Sequence, residues 1–493
     1  MTDALWTFEE LMRAVPFAVP DGVHDKPITG FSIDTRSLQP GEVFVALQDV
    51  RDGHEFVTAA FKAGAAAAIV NDTYERKPGD GALIRCNLNF FRDQNKKADR
   101  DCDPLQALQL IGKAARARLS QDARIVAVTG SAGKTGTKEM LRACLARLRK
   151  VHASEKSFNN QWGVPLTLAR MPCDTEYGVF EIGMNHAGEI EPLSQMVRPH
   201  AAIITTVEAV HLEHFDSVES IADAKAEIFR GLVKDGTAII KRDNPHFERL
   251  KVRARAHGAR VISFGLTNSA DVCAESFKIH EDGSEITARV GDKKVSYRLA
   301  MPGRHIAENS LAVVAALDAI GADLDKALAA LTGLQAPSGR GLRTRLSLAG
   351  GEVMLIDESY NANPASIRAA LDTLSSVPRT IFARRIVVLG DMLELGADSA
   401  KLHKDLHDAL TEAGTDKVFA CGPHMKGLYD ALPIAIKGHY AETAAGLQSE
   451  FLTAIRAGDV VMLKASNGTK LGILVEALKR HFSGAVCPHE IGQ

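Results

Sequence analysis

The run Thr129-Gly130-Ser131-Ala132-Gly133-Lys134-Thr135 constrains this chain more than any other stretch. It follows a short β-rich run, residues 124–129 (RIVAVT), and precedes a helical pattern in which Leu141, Leu145 and Leu148 recur at i, i+4 and i+7. A glycine-bearing turn between strand and helix is the context a phosphate loop requires. Backbone N–H groups and the helix N-terminus there face an anion. Lys134 would neutralise β/γ-phosphate charge, and Thr135 would offer a hydroxyl to Mg²⁺. Val128 stands where the G-x-x-x-x-G-K-[ST] pattern has its first glycine, so this is the shorter T-G-x-x-G-K-[ST] form. The competing reading is a tight strand–helix turn with a solvated lysine.

Such a loop needs a sheet to carry it. Strand patterns at 177–182, 201–207, 237–241 and 260–264 alternate with helical ones. That alternation predicts a mainly parallel sheet covered on both faces. Residues 271–299 change to strict alternation with EDG and VGD turns, which predicts antiparallel hairpins appended to it. The Pro-, Ser- and Gly-rich residues 335–341 (QAPSGRG) read as a linker. Beyond them the strand–helix rhythm restarts: 352–356 with a helix from 364, 385–389 with a helix from about 397, 417–420, and 459–463 with a helix from 470. Before the loop, 42–47 and 66–70 read as strands, and 55–62 and 104–119 as helices. Residues 77–103, broken by Pro78, Gly79 and Gly81, read largely as loop. The expected fold is α/β in three domains. Residues 1–120 form a small α/β domain. Residues 121–334 form a central P-loop-type, mainly parallel sheet with an antiparallel addition, and 335–493 a doubly wound Rossmann-like domain. A length of 493 suits that division, at about 100–200 residues per domain.

Composition narrows the functions. The 59 Lys+Arg nearly cancel the 61 Asp+Glu, which argues against a chain that coats nucleic acid. The seven cysteines include no C-x-x-C pair, so a reducing cytoplasm is expected. No apolar run nears the ~18 residues of a membrane span, and Asp3, Glu9 and Glu10 interrupt the first apolar pattern.

The loop and several stretches downstream of it resemble the Mur ligase superfamily, ATP-dependent amide-bond ligases. Glu181 in FEIGMNHAGEI, His211 in TTVEAVHLEHF and Lys225 in DAKAEIF resemble that family's magnesium-site glutamate, histidine and modified lysine. The resemblance implies ATP and Mg²⁺ as cofactors. It makes Lys134, Glu181, His211 and Lys225 catalytic, and Thr135, Glu181, His211 and a carbamylated Lys225 metal ligands. Gly130, Ser131, Ala132, Gly133, Lys134 and Thr135 would cradle the nucleotide. His305 and Asn309 in MPGRHIAENSLAVVAAL match the adenine-side helix start. Arg340 in SGRGLR matches an arginine sent to the phosphates from the domain junction, and Asp357 in LIDESYNANPASI a ribose contact.

Three stretches imply the branch that adds D-alanyl-D-alanine to UDP-N-acetylmuramoyl-tripeptide. They are DESYNANPASI, VLGDMLELG (Asp391, Glu394, Gly396), and SIDTRSLQPGEVFVAL with DGHEF. Ser32, Asp34, Thr35 and Arg36 would meet the UDP end. Asn159, Asn160, Tyr360, Asn361, Asn363, Lys464 and Ser466 would meet the rest of the substrates. Two departures stand out: threonine replaces serine in Asp34-Thr35-Arg36, and alanine replaces glycine in Lys464-Ala465-Ser466. If that glycine needs a positive φ, alanine there is strained. A sister ligase that selects a free amino acid usually carries D-N-P-R in its last domain. The Asp-Asn-Pro here, at 243–245, is followed by His246 and lies in the middle of the chain. A folylpolyglutamate-synthase-like enzyme, a phosphate-loop kinase or NTPase switch and a catalytically dead scaffold are the other classes. The N-terminal motif, the lack of N-K-x-D and the intact candidate residues weigh against them. A monomer is expected, without nucleic-acid or membrane partners.

Overall fold

A side-chain period of two divides each strand's residues between two cores. Val126, Val128, Val179, Ile203 and Ile239 pack into one apolar cluster, while Ile125, Ala127, Phe180, Ile204 and Ile240 pack into another. Strands buried on both faces are what a mainly parallel sheet demands. The computed structural model describes residues 4–24, 26–87, 102–155, 157–210, 212–280, 282–348 and 350–483.

Three sheets carry the fold. The first holds β1 (Ala18–Asp21), β2 (Gly30–Ser32), β3 (Glu42–Val45), β4 (Ala67–Asn71) and β5 (Leu83–Cys86), in the order β1-β5-β4-β3-β2 with β1 antiparallel to β5. The second holds β6 (Arg124–Thr129), β7 (Val151–Ala153), β8 (Tyr177–Glu181), β9 (Ala201–Ile204), β10 (Thr237–Lys241), β11 (Arg260–Gly265), β12 (Val272–His280), β13 (Gly283–Val290) and β14 (Lys293–Leu299). Its order is β14-β13-β12-β11-β10-β9-β6-β8-β7. β6 to β12 run parallel, and β12, β13 and β14 form the expected antiparallel addition. The third holds β15 (Leu342–Leu348), β16 (Gly351–Glu358), β17 (Arg384–Gly390), β18 (Lys417–Cys421), β19 (Lys437–Ala441) and β20 (Asp459–Lys464), ordered β15-β16-β20-β17-β18-β19 with β15 alone antiparallel.

Some local expectations are corrected. β5 lies inside the span read as loop, because its LIRC run is short and flanked by glycine and polar residues; 88–101 of that span lie outside the described residues. β15 begins directly after the linker and is a half-exposed edge strand, so it shows no apolar run. The helix expected from 397 begins as a single 3₁₀ turn, Gly396–Asp398, before Ser399–Lys404. The helix expected from 470 begins at Gly472, after Lys470 takes a φ of 57°.

The helix Pro104–Ala117 binds the first sheet to the second. Pro104 occupies its first turn, and the Asp103 carboxylate accepts from Gln106 N at 2.7 Å, which together set its start. Ala107, Leu108, Ile111 and Ala115 share one core with Val43, Val45 and Ile69 of the first sheet and with Leu166 and Ala169 of the helix Gly163–Ala169. Trp6 Nε1 donates to Ala169 O at 2.9 Å, and the Arg118 guanidinium lies 3.9 Å over the Trp6 ring. Among the described residues no helix is long and apolar enough to cross a membrane.

Candidate active site

In a parallel sheet the carboxyl ends of the strands face one edge, where α/β folds bind ligands. Here β6, β8, β9 and β10 bring the Thr129–Lys134 loop, Glu181, Thr205 and Lys241 to that edge. A cavity of about 620 Å³ opens there, bounded on its far side by the 337–340 linker, the end of β16 and Lys464.

Two glycines make the loop possible. Gly130 has φ 146°, and a Cβ there would fall 1.9 Å from Thr205 Oγ1. That hydroxyl donates to Ala132 O at 2.5 Å and so holds the loop against β9. Gly133 has φ 83°, and a Cβ there would meet the Asn309 amide at 2.5 Å. The helix Lys134–Ala146 starts at Gly133 with no side-chain cap, so its first-turn N–H groups are left for an anion.

Four predicted residues sit together beside the loop. Lys134 Nζ donates to Gly130 O at 2.7 Å. Burial lowers its pKa from the ordinary lysine value; Glu181 opposes that and the Arg340 guanidinium reinforces it. The buried Glu181 carboxylate accepts from Thr135 Oγ1 at one oxygen and from Asn159 Nδ2 at the other, both at 2.7 Å. A hydroxyl and a carboxylate side by side are hard oxygen donors of the kind Mg²⁺ takes. Lys225, on the helix Val218–Ala226, is 2% exposed. Burial, then the Lys134 ammonium, hold its amine well below the ordinary range, and no carboxylate pairs with it among the described residues. A neutral amine is what such a setting favours. His211 lies outside the described residues. Among the described residues no three His, Cys, Asp or Glu side chains converge as a metal cluster.

The rest of the lining is more mixed than the sequence implies. His305, Asn309, Arg340, Tyr360, Asn361, Asn363 and Lys464 line the cavity, as do Ser131, Ala132, Asn159 and Asn160. Arg340 donates to Ser157 Oγ at 3.1 Å, and its guanidinium stacks 4.1 Å over the Tyr360 ring. Burial lowers the pKa of His305. Asn160 and Asn363 also hold helix starts: their Oδ1 atoms accept from Gly163 N at 2.9 Å and Ser366 N at 2.8 Å. Lys464 donates to Glu358 Oε2 at 3.1 Å and to Asn361 O at 3.0 Å.

Asp357 does not line the cavity. Its Oδ2 accepts from Gly339 N at 2.8 Å and Ser338 Oγ at 3.1 Å, and its Oδ1 from Ser359 Oγ at 2.6 Å. The carboxylate therefore holds the linker that carries Arg340, and the next residue, Glu358, faces the cavity instead. Ser466 also sits behind the wall, accepting from Leu393 N at 3.0 Å. The expected strain at Ala465 is absent, because its φ is not positive. Its methyl is accommodated by Gly390, where a Cβ would approach it to 2.8 Å.

The N-terminal candidates lie apart from this cavity, at the end of β2 and in the turn that follows it. Ser32 Oγ donates to Asp34 O at 3.0 Å, and Arg36 holds both Asp34 oxygens, the shorter contact at 2.6 Å; Thr35 lies in the turn between them. Sequence reading missed Ser157, Thr205, Lys241, Glu308 and Glu358. The polar pair Thr205-Thr206 just beyond an apolar strand is a detectable signal, whereas Lys241 and Glu308 are isolated charges far apart in the chain.

Known proteins share both the sequence and this architecture. The family described as "Mur ligase middle domain" matches residues 128–317, and "Mur ligase, glutamate ligase domain" matches residues 343–467. A UDP-N-acetylmuramoyl-tripeptide–D-alanyl-D-alanine ligase of Rickettsia prowazekii is 31% identical over 96% of this chain and 99% of its own length. Its Escherichia coli counterpart is 33% identical over 93% and 95%. The crystal structure of MurF from Acinetobacter baumannii superposes with a TM-score of 0.81 at 27% identity, covering 96% of this chain and 99% of that one. A Thermotoga maritima MurF solved in complex with ADP shares the fold, with a TM-score of 0.74 at 23% identity over 93% of this chain and 99% of that one.

Proposed function

This chain belongs to the Mur ligase family, and on that premise we propose that it joins D-alanyl-D-alanine to the terminal carboxylate of UDP-N-acetylmuramoyl-tripeptide, with ATP converted to ADP and phosphate. The observation that carries this reading is the convergence, in one cavity, of the Lys134 phosphate loop, the Glu181 carboxylate and Arg340 from the linker.

A carboxylate is a poor electrophile. Transfer of the γ-phosphoryl group to it breaks the terminal P–O–P bond, releases ADP and leaves an acyl phosphate. The dipeptide amine then attacks the acyl carbon, phosphate departs, and a proton leaves the nitrogen. Two anions must first approach each other, so Lys134 and Arg340 supply positive charge from opposite walls. The Tyr360 ring and Ser157 hydroxyl hold the guanidinium in place. Asn159 and Thr135 each donate to one oxygen of Glu181, so the carboxylate is fixed from two sides, and Ser154 Oγ accepts from the Glu181 backbone N at 3.2 Å. Thr135, Glu181, His211 and Lys225 as its carbamate are the residues that would hold Mg²⁺, which when bound neutralises phosphoryl-oxygen charge.

The division of labour matches the three sheets. Residues 1–120 hold the UDP end through Ser32, Asp34, Thr35 and Arg36. Residues 121–334 hold ATP, and residues 335–493 the dipeptide, with Asn361, Asn363 and Lys464 facing it. Asp357 and Ser466 serve by holding the loops that carry these groups. The enzyme acts as a monomer in the cytoplasm, in peptidoglycan precursor synthesis. The test is ADP release with each substrate omitted in turn. Release that requires both the UDP-linked tripeptide and D-alanyl-D-alanine supports the reading; equal release without the dipeptide overturns it.

A further inference from the structure

One fully buried cation takes no part in the ligation chemistry described above. Lys138 has no exposed surface, and it lies on the helix Lys134–Ala146, one turn beyond the phosphate-loop lysine. It does not line the cavity. Taking an ammonium out of water is costly, and an apolar side chain of similar size would pack there at less expense. Two close partners compensate it. Its Nζ donates to Ser154 O at 2.7 Å and lies 2.6 Å from Glu139 Oε1. Glu139 is the next residue, and Arg142 pairs with it as well, so that contact joins nothing distant. The bond to Ser154 does, because it ties the phosphate helix to the residue that follows β7.

Ser154 begins a set of contacts that bracket Glu181. Its N–H donates to Val179 O at 3.0 Å, and its Oγ accepts from Glu181 N at 3.2 Å. Further on, Asn159 donates from Nδ2 to Glu181 Oε1 at 2.7 Å, and its carbonyl accepts from Gly183 N at 2.8 Å. Between them, Ser157 Oγ accepts from Arg340 at 3.1 Å. Ser154, Ser157 and Asn159 thus hold the end of β8 and the linker arginine at once. The phosphate helix reaches the same carboxylate from its other side, through Thr135 Oγ1 at 2.7 Å. A shift of Ser154 against that helix would carry Glu181 away from Thr135. Lys138, three residues beyond Thr135 on the same helix, fixes the spacing.

We propose that Lys138 is a positioning residue for the metal-site carboxylate: through Ser154 it registers Glu181 against Thr135. It acts from behind the site, on the backbone that carries the ligand. Groups that orient a metal ligand in this way typically set about 10–100-fold of metal affinity. The same link reaches Ser157, so the seat of the Arg340 guanidinium is held from the phosphate helix too. This inference rests on the reading of Thr135 and Glu181 as Mg²⁺ ligands given above.

The test is equilibrium binding of ADP to the full chain by titration calorimetry, once with Mg²⁺ and once with EDTA. In the wild type Mg²⁺ should tighten ADP binding. Lys138→Met keeps the side-chain length and removes the donor. It should cut that Mg²⁺-dependent gain by about tenfold, while ADP affinity in EDTA stays within about twofold. Ser154→Ala removes only the hydroxyl that meets Glu181 N and should reduce the gain in the same direction. Because the two residues act in one chain, the double variant should lose less than the sum of the single losses. A purely structural role would lower the denaturation midpoint without changing how ADP binding responds to Mg²⁺. A wild-type Mg²⁺ gain in Lys138→Met overturns the proposal. Should that variant fail to fold, a wild-type gain in Ser154→Ala overturns it equally. A wild type whose ADP binding does not respond to Mg²⁺ defeats the metal reading of Glu181 as well.

Discussion

The two junctions of this molecule are built from opposite materials. Between the first and second sheets the contact is apolar and closed: Leu108 and Ile111 share a core with Leu166 and Ala169, and Trp6 is pinned to Ala169. Between the second and third sheets lies a cavity walled by Lys134, Arg340, Glu358 and Lys464. A close-packed apolar contact resists sliding, because any shift opens voids. A polar, open one can close around charged ligands. On the function proposed above, the first junction would fix the domain that takes the UDP-linked substrate, and the second would be where the chemistry happens. Mutations at the first should cost stability, and mutations at the second should cost rate.

Trp6→Ala should have the largest effect on stability, because it removes a buried indole from the closed junction. Losses of about 3–5 kcal/mol are typical of such truncations. Chemical denaturation should show the loss while kcat at saturating substrates stays within about twofold. A drop in kcat with stability intact would break the contrast.

At the open junction, Lys134→Ala should lower kcat by about 10²–10³ with the denaturation midpoint unchanged. Near-wild-type turnover at saturating ATP would sink the phosphate-loop assignment. Lys225→Ala should also lose most activity, and acetate should partly restore it by standing in for the carbamate. Lys225→Arg should not recover, because a guanidinium neither takes up CO₂ nor ligates a metal. Activity in the arginine variant, without an acetate response in the alanine variant, would leave Lys225 an ordinary cation.

Arg36→Ala should raise the KM for the UDP-linked tripeptide and leave that for ATP alone. Arg36 is exposed and already paired with Asp34, so the effect is smaller than at Lys134. Movement of only the ATP KM would misplace the UDP site.

The smallest expected effect is a pH dependence at the start of the central sheet. His200 accepts from Ile125 N at 2.9 Å, and burial, then Arg116 and Arg124, hold its pKa down at about 4. An unfolded histidine titrates near ~6.5. Between those values the unfolded chain binds more protons, so stability falls as the pH drops from 6.5 toward 4, by about 1–2 kcal/mol. His200→Gln should flatten that slope in urea titrations.

The same contrast explains what the sequence made legible. Apolar strands ending in glycine, glutamate or threonine announce the parallel sheet and its ligand edge, and Lys134, Thr135 and Glu181 come together as read. Asp357 is a residue of the right type at the right strand end, but its carboxylate is saturated by Gly339, Ser338 and Ser359. Only the loop geometry shows that Glu358 takes its place at the cavity. β15 and β5 escaped notice because one is a half-exposed edge and the other only four residues long. Lys241 and Glu308 meet through the fold alone, 67 positions apart, and nothing local marks either.

The measurement that bears most directly on the central claim is the fate of oxygen. Tripeptide substrate labelled with ¹⁸O in its terminal carboxylate should pass one labelled oxygen per turnover to the released phosphate, because the acyl phosphate breaks at the acyl carbon when the dipeptide amine attacks. Unlabelled phosphate, formed while ligation proceeds, would contradict phosphoryl transfer to the carboxylate and with it the role assigned to the cavity between Lys134 and Arg340.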